Sequence, residues 1–157
     1  MLTNTLNWIR KIFKILIVVF FIYMVLAVFF QVLGRYFFNF KLDMASETAT
    51  FAQIWMVLIA AGLALQKNMH VGVDVLINVL PKKIQKIVIL ITSLCSMAFL
   101  LIALKGSFAL INVGFDSTSP ASGMPMWIPY LSVPLGLIYI MIELVILTYK
   151  KLFDIKI

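Results

Sequence analysis

Residues 35–74 read RYFFNFKLDMASETATFAQIWMVLIAAGLALQKNMHVGVD, which is an apolar run between two polar flanks. The apolar run extends roughly from Phe51 to Leu65. Together with the residues that flank it, the run approaches the ~20 residues that a helix needs to cross about 30 Å of hydrocarbon. This stretch therefore predicts a membrane-spanning helix with one polar end on each side of the bilayer.

The whole chain has the same apolar character as this stretch. Of its 157 residues, 64% are hydrophobic and 12% are charged, whereas soluble domains average about 25% charged residues. The chain contains four apolar runs of spanning length, and the short alternating strands of a β-barrel are absent. We predict a single all-α integral membrane domain with transmembrane helices at about 12–34, 44–66, 84–105 and 128–149.

Two shorter segments are predicted to lie along the membrane surface. An amphipathic N-terminal lead-in to the first span is indicated by the helical spacing of Leu2, Leu6, Ile9 and Phe13. A short interfacial helix between the second and third spans is indicated by the spacing of Val73, Leu76, Ile77 and Leu80.

Glycine and proline mark the last loop and the last helix. The segment from Asn112 to Met126 is rich in Gly, Ser and Pro, which predicts a surface loop. Pro134 is predicted to bend the final span, because proline removes one backbone hydrogen bond and crowds the preceding turn.

The basic residues are divided unevenly between the two ends of the predicted spans. Three of the 13, Arg35, Lys41 and Lys105, fall on one side, and the other ten fall on the side of both termini. The positive-inside rule therefore predicts cytoplasmic termini. Because these residues cluster at the ends of apolar runs, the net charge of +7 does not indicate nucleic-acid binding.

The titratable residues provide no evident catalytic or metal-binding set. One histidine and one cysteine cannot form a zinc or iron site alone. His70 and Asp74 would share a helical face and are interpreted as tying the interfacial segment to helix two, with a catalytic or pH-sensing role as the alternative. We predict no catalytic, substrate-binding or metal-binding residues and no cofactor.

Glu143 is the only acidic residue deep within a predicted span. An intramembrane carboxylate is a functional candidate by default. Because Glu143 lies about two turns from the Lys150 end of its helix, roughly 10 Å, we interpret it as structurally paired. A role in transport chemistry and a contact with a partner subunit remain as alternatives.

The residues at the outer end of helix two suggest anchoring and packing. Arg35 is interpreted as an interfacial anchor paired with Asp43 or Glu47, with binding of an acidic substrate or partner as the alternative. Small residues recur along the helix and predict close packing, within the chain or against another subunit, at Ala45, Ala49 and Ala52.

Several motifs occur together in the order found in one known family. They are QVLGRYFFN at 31–39 with Glu47 after it, AGLAL at 61–65 before HVGVD at 70–74, and GMPMWIPY at 123–130 before PLG at 134–136. Over nearly its whole length the chain resembles the small DctQ-like (Q) membrane subunit of tripartite ATP-independent periplasmic (TRAP) transporters.

The resemblance implies an accessory role in the bacterial inner membrane. In such transporters a large DctM-like (M) subunit carries the substrate and sodium sites, and a periplasmic substrate-binding protein captures an organic acid such as sialic acid or a C4-dicarboxylate. The Q subunit packs on the scaffold of the large subunit, contacts membrane lipids and helps dock the binding protein. The absence of broken helices and of a polar midplane cluster in this sequence agrees with that role.

On this interpretation the residues facing partners come from the outer loops and the small-residue stripe. The candidates are Arg35, Tyr36, Asn39, Lys41, Asp43, Glu47, Ala45, Ala49, Ala52, Trp55, Asp116, Trp127 and Pro134. Two other classes remain open, a small multidrug efflux pump and an unrelated membrane scaffold. The pump is disfavoured because it normally needs a membrane carboxylate early in the chain, whereas the first span has none.

Overall fold

The computed structural model describes residues 2–37, 43–66 and 81–153, all of which are dominated by helix. The helices are α1 Leu2–Phe37, α2 Asp43–Gln66, α3 Lys82–Phe115, α4 Trp127–Tyr130 and α5 Ser132–Leu152. Four stretches are long and apolar enough to cross a membrane: Leu6–Phe37, Asp43–Gln66, Lys82–Phe115 and Trp127–Leu152. The predicted all-α fold with four such helices is confirmed. The predicted interfacial helix lies outside the described residues. So do four residues singled out in the sequence: Asn39, Lys41, His70 and Asp74.

Two helices extend beyond the limits predicted from hydropathy. The predicted lead-in and first span form one helix, α1, of 36 residues. Helix α3 continues to Phe115 and is capped by Asp116. The predicted loop beginning at Asn112 was therefore wrong in its first four residues. Lys105 and Gly106 interrupt the apolar run in sequence, but both are exposed on the helix surface and leave the backbone hydrogen bonds intact.

The spanning helices form an open row in the order α1, α2, α5, α3. Backbone neighbours are α1 with α2, α2 with α5, and α5 with α3, whereas α1 and α3 do not approach each other within the described ranges. Within the most apolar stretch of each span, 33% of the residues are buried in α2 and 39% in Trp127–Leu152. The corresponding shares are 0% in the outer helix α1 and 6% in the outer helix α3. The packing core therefore lies along α2 and α5, and the outer helices α1 and α3 leave most of their apolar surface exposed.

Glycine allows the two inner helices to approach closely. A Cβ atom on Gly62 of α2 would overlap the Tyr139 ring of α5, and one on Gly136 of α5 would lie 2.6 Å from the Leu58 Cβ of α2. Side chains on both glycines are therefore excluded by the opposite helix. Small residues permit such close contact between membrane helices, where dispersion forces provide much of the attraction.

The last span is interrupted near the proline that the sequence singled out. Helices α4 and α5 are separated at Leu131, whose backbone N–H still donates to the Trp127 carbonyl. Pro134 is buried in the first turn of α5 and has no N–H to donate to Tyr130 one turn earlier. This local loss of helical hydrogen bonding accompanies the interruption.

Candidate functional site

A buried ion pair joins the first and last helices. The Arg10 Nε donates to Glu143 Oε1 at 2.8 Å, and the Arg10 Nη2 donates to Glu143 Oε2 at 2.6 Å. Glu143 is only 1% exposed, and the Arg10 side chain is 11% exposed. The planar guanidinium matches both carboxylate oxygens, which is the geometry that best compensates a buried charge.

An aromatic contact supports this pair from one turn away. Tyr139 precedes Glu143 by four residues, and its ring meets Phe13 of α1 edge to face with centroids 4.5 Å apart. Both contacts therefore join α1 to α5 by side chains, although the two backbones remain apart. On the other side of the pair, Gln66 and Lys150 line the small remaining gap.

A carboxylate in α2 holds the loop between α3 and α4. Glu47 Oε2 accepts a hydrogen bond from the Ser122 backbone N–H at 2.8 Å. Within the loop, Ser119 and Ser122 hydroxyls lie 2.7 Å apart, and the Ser119 N–H donates to the Met124 carbonyl at 2.9 Å. Gly123 has φ +66°, a conformation that glycine adopts without a Cβ clash. The loop is thus folded upon itself and tied to α2.

Aromatic packing fixes the two ends of the same loop. The Phe115 and Trp127 rings are stacked with centroids 5.6 Å apart and an angle of 20° between their planes. A Cβ on Gly114 would lie 2.7 Å from the Trp127 backbone nitrogen, so glycine is needed where α4 crosses the end of α3. Trp127 is accordingly half-buried inside the chain.

Several of the predicted interface residues remain on the surface. Arg35, Tyr36, Asp43 and Asp116 are exposed, and Tyr36 is 80% exposed. Among the described residues Arg35 makes no ion pair with Asp43 or Glu47, so the expected pairing was wrong. The carboxylate of Glu47 is engaged by the loop instead.

Other predicted interface residues are enclosed by the chain itself. Ala49 is 3% exposed and Ala52 is 6% exposed, so both pack between helices of this chain. Ala45 and Trp55 are half-buried, and Pro134 is buried. The alternative of packing within the chain therefore accounts for much of the small-residue stripe. No group of three His, Cys, Asp or Glu side chains suited to a metal occurs in residues 2–37, 43–66 and 81–153.

The sequence model for the DctQ component of tripartite ATP-independent periplasmic transporters matches residues 24–153. The chain belongs to this family. It is therefore a component of a transporter and not an enzyme, as the motif resemblance predicted. The match includes Glu47, Gly62, the loop, Tyr139 and Glu143, whereas Arg10 precedes it.

Individual relatives support the same assignment and match between about half and four fifths of the chain. A C4-dicarboxylate TRAP transporter small permease protein DctQ from Vibrio cholerae is 39% identical over 85 residues, covering 54% of this chain and 37% of the relative. A putative TRAP transporter small permease protein from Haemophilus influenzae is 30% identical over 130 residues, covering 83% and 81% respectively. An isethionate TRAP transporter permease protein DctMQ from Oleidesulfovibrio alaskensis is 32% identical over 92 residues, which are 57% of this chain and 14% of the relative.

Sequence inspection of this DctQ family member missed the partners of Glu47 and Glu143, two carboxylates that are engaged within the described residues. The sequence does not distinguish Arg10 from the neighbouring Lys11 and Lys14, although Arg10 is buried against Glu143. The Ser122 partner of Glu47 is 75 residues away in sequence and is a backbone group, which no side-chain pattern reveals. An intramembrane acid does indicate that a buried cation is needed, but the choice among several basic residues requires the fold.

Removing the Glu47 carboxylate is expected to loosen the outer loop. A Glu47→Gln variant would replace the charged acceptor of the Ser122 N–H by a neutral one, and hydrogen bonds to charged groups are stronger than neutral ones. We expect faster amide hydrogen exchange for the loop around Ser122, measured by mass spectrometry on the purified complex. The matched control is Asp43→Asn, which neutralises an exposed carboxylate one turn earlier on α2. Equal exchange in both variants and the unmodified chain would contradict the proposed anchoring of the loop.

Proposed function

We propose that this TRAP small permease subunit supports a large membrane subunit that transports organic acids in symport with sodium. The observation that carries the proposal is the charge arrangement within the spans. The acid deepest in a described span, Glu143, is fully engaged by Arg10, which leaves it unsuited to binding a substrate or coupling ion. Transport chemistry is then assigned to another subunit.

The names of the relatives support this division of labour. The name DctMQ of one relative combines the names of the M and Q components, and the match covers only 14% of that relative. Such a proportion fits a small membrane module beside a much larger permease part. We propose that the present chain packs on the scaffold of a separate large M subunit in the bacterial inner membrane, with both termini in the cytoplasm.

The substrate class is proposed from the relatives and the family resemblance. Two relatives are named for anionic organic compounds, C4-dicarboxylates and isethionate. Sialic acid or a C4-dicarboxylate is the type of substrate proposed for the complete transporter. On this proposal the chain contributes a supporting membrane surface, and the choice of acid belongs to the other subunits.

We further propose that the outer surface helps dock the periplasmic substrate-binding protein. Its candidates are the exposed charged groups Arg35, Asp43 and Asp116, together with Lys41, which precedes Asp43 by two residues in the sequence. The loop fixed by Glu47 lies at the same end of α2 as Asp43 and gives this surface a defined shape. Exposed charges mainly accelerate and orient association, so docking at this surface would weaken as salt increases.

Affinity purification of the chain from its native membrane in mild detergent tests this proposal. We expect one large multi-span membrane protein to be recovered with it in a fixed ratio, because the proposed scaffold contact is permanent. Addition of the periplasmic binding protein should then give a complex that is stable at low salt and weaker at high salt, measured by size-exclusion chromatography.

Two outcomes of the same experiment would contradict the proposed function. Recovery of the chain alone or as a homo-oligomer, in a detergent shown to preserve comparable complexes, would argue against the scaffold contact. Binding of the soluble protein that is independent of salt would argue against docking through exposed charges. A separate uptake assay tests the accessory role itself. Unchanged uptake of the organic acid after deletion of the whole chain would contradict that role.

A further inference from the structure

The small gap beside the buried ion pair is the place where three helices meet through polar side chains. In the row of helices α2 stands between α1 and α5, so the Arg10–Glu143 pair reaches across α2 near Gln66, the last residue of that helix. One residue of each of these helices lines the gap: Arg10, Gln66 and Glu143. The layer one turn away is formed by Tyr139 with Phe13 and Gly62. The gap therefore follows directly on the close packing of the same three helices.

Gln66 brings a buried polar atom to this gap. Its Oε1 atom is buried and accepts no hydrogen bond in the part of the chain that the structure describes. The Tyr139 hydroxyl is another such atom, but Tyr139 does not line the gap. A buried carbonyl oxygen without a donor is unfavourable, and such groups are usually paired with protein or with an ordered water. The gap is the space from which a donor can reach Gln66.

The size of the gap matches one water molecule. Its volume is about 10 Å³, and a buried water needs at least about 10–15 Å³ of such space. The remaining lining consists of Ile146, Leu147 and Lys150. A larger organic ligand is therefore excluded from the gap by its volume.

The gap also provides the polar partners that a buried water needs, which number about two to four. The Arg10 guanidinium carries more N–H groups than the two that donate to Glu143. Each carboxylate oxygen of Glu143 accepts one hydrogen bond from Arg10 and retains a second lone pair. Together with Gln66 Oε1, the lining offers both donors and acceptors to one small molecule.

The charges around the gap disfavour an ion in the same space. A metal cation would lie beside the guanidinium of Arg10 and the ammonium group of Lys150, and like charges repel. An anion would lie beside the Glu143 carboxylate and the carbonyl oxygen of Gln66. A neutral molecule that donates and accepts hydrogen bonds is compatible with the whole lining.

We propose that this gap binds one ordered water, which donates to Gln66 Oε1 and to Glu143 and accepts from Arg10. The water joins the end of α2 to the ion pair between α1 and α5, so that three helices share one polar contact. It also satisfies a buried oxygen that the described residues leave without a donor. This inference stands on the gap and its lining and does not depend on the proposed function.

A Gln66→Met variant tests the water through the sign of a stability change. Methionine has a similar length and shape but no amide, so the variant removes the oxygen to which the water donates. We expect the melting temperature of the purified full chain in one fixed detergent to fall by about 2–4 °C, as for one lost hydrogen bond. Without the water, the same substitution removes an unpaired buried oxygen, and the melting temperature would rise. An increase would therefore overturn the inference.

The same substitution without the ion pair separates hydrogen bonding from packing. In an Arg10→Met/Glu143→Leu background the water loses its other polar partners, so Gln66→Met is expected to be neutral or to raise the melting temperature. The matched control is Gln53→Met, at an exposed position of α2, which should leave the melting temperature nearly unchanged in both backgrounds. An equal decrease for Gln66→Met in both backgrounds would assign the effect to packing and would contradict the proposed water.

Direct observation distinguishes the water from a protein donor. In a structure of the purified protein at a resolution that shows ordered waters, we expect a density peak within about 3.2 Å of Gln66 Oε1 and of an Arg10 nitrogen. A direct hydrogen bond to Gln66 Oε1 from Arg10 or from the ammonium group of Lys150 would overturn the inference. So would the absence of a peak in the gap when other buried waters are visible. Neither result would alter the proposed function, because co-purification with a large subunit tests that separately.

Discussion

A Glu143→Ala variant is expected to lose about 3–5 kcal/mol of stability, which is typical when one partner of a buried ion pair is removed. The substitution leaves the Arg10 guanidinium buried between α1 and α5 without the two carboxylate oxygens that now accept its hydrogen bonds. The measurement is thermal unfolding of the purified chain in one fixed detergent, followed by the yield of folded protein in size-exclusion chromatography. Both quantities should fall strongly.

The matched control removes both charges and restores apolar volume. An Arg10→Met/Glu143→Leu variant is expected to recover most of the lost stability, because replacing a complete buried pair with apolar residues is often neutral or stabilising. Arg10→Met alone should resemble Glu143→Ala, since it leaves the carboxylate unpaired. Equal damage in the single and double variants would contradict a charge-compensation role and would instead indicate a direct functional requirement for the carboxylate.

The comparison of uptake with stability separates structure from transport chemistry. If Glu143 acts only through its pairing with Arg10, the stable double variant should retain transport of the organic acid when assembled with its partner subunits. If the carboxylate carries a proton or cation, transport should stay absent even where folding is restored. The structure favours the first result because Glu143 is enclosed and engaged on both oxygens.

The helical content was predictable because hydropathy acts locally along the chain. A run of about 20 apolar residues has few alternatives to a helix in lipid, since every backbone N–H and C=O must be paired within the segment. The four spans followed from that constraint, whereas the family assignment came from the resemblance of the motifs. The end of α3 did not, because Lys105 and Gly106 interrupt hydropathy without interrupting the helix.

The arrangement of the helices depended on contacts that sequence patterns do not reveal. Arg10, Lys11 and Lys14 have the same charge, but only Arg10 reaches Glu143 once α1 has packed along α2. Arg35, Asp43 and Glu47 are close in sequence, yet Glu47 is engaged by the loop at Ser122. Long-range partners of polar groups are therefore the part of this site that required the structure.

The contact between α2 and α5 is the second place where a single side chain should have a large effect. A Gly62→Leu variant is expected to lose about 3 kcal/mol or more, because forcing extra atoms into a packed core displaces its neighbours. The Cβ atom of a leucine at position 62 would by itself overlap the Tyr139 ring. Tyr139 is 6% exposed and its ring also packs against Phe13, so the ring cannot move aside at little cost.

Gly106→Leu is the matched control for this prediction. Nothing lies within 4 Å of a Cβ at Gly106 on the exposed surface of α3, so the same substitution should be neutral or gain up to about 1 kcal/mol from helix propensity. Thermal unfolding in one detergent measures both variants. Partial recovery in Gly62→Leu/Tyr139→Ala would assign the damage to the overlap between α2 and α5. Similar losses in Gly62→Leu and Gly106→Leu would show that glycine matters through helix flexibility. Close packing at Gly62 would then no longer explain why α2 and α5 are the inner pair of the row.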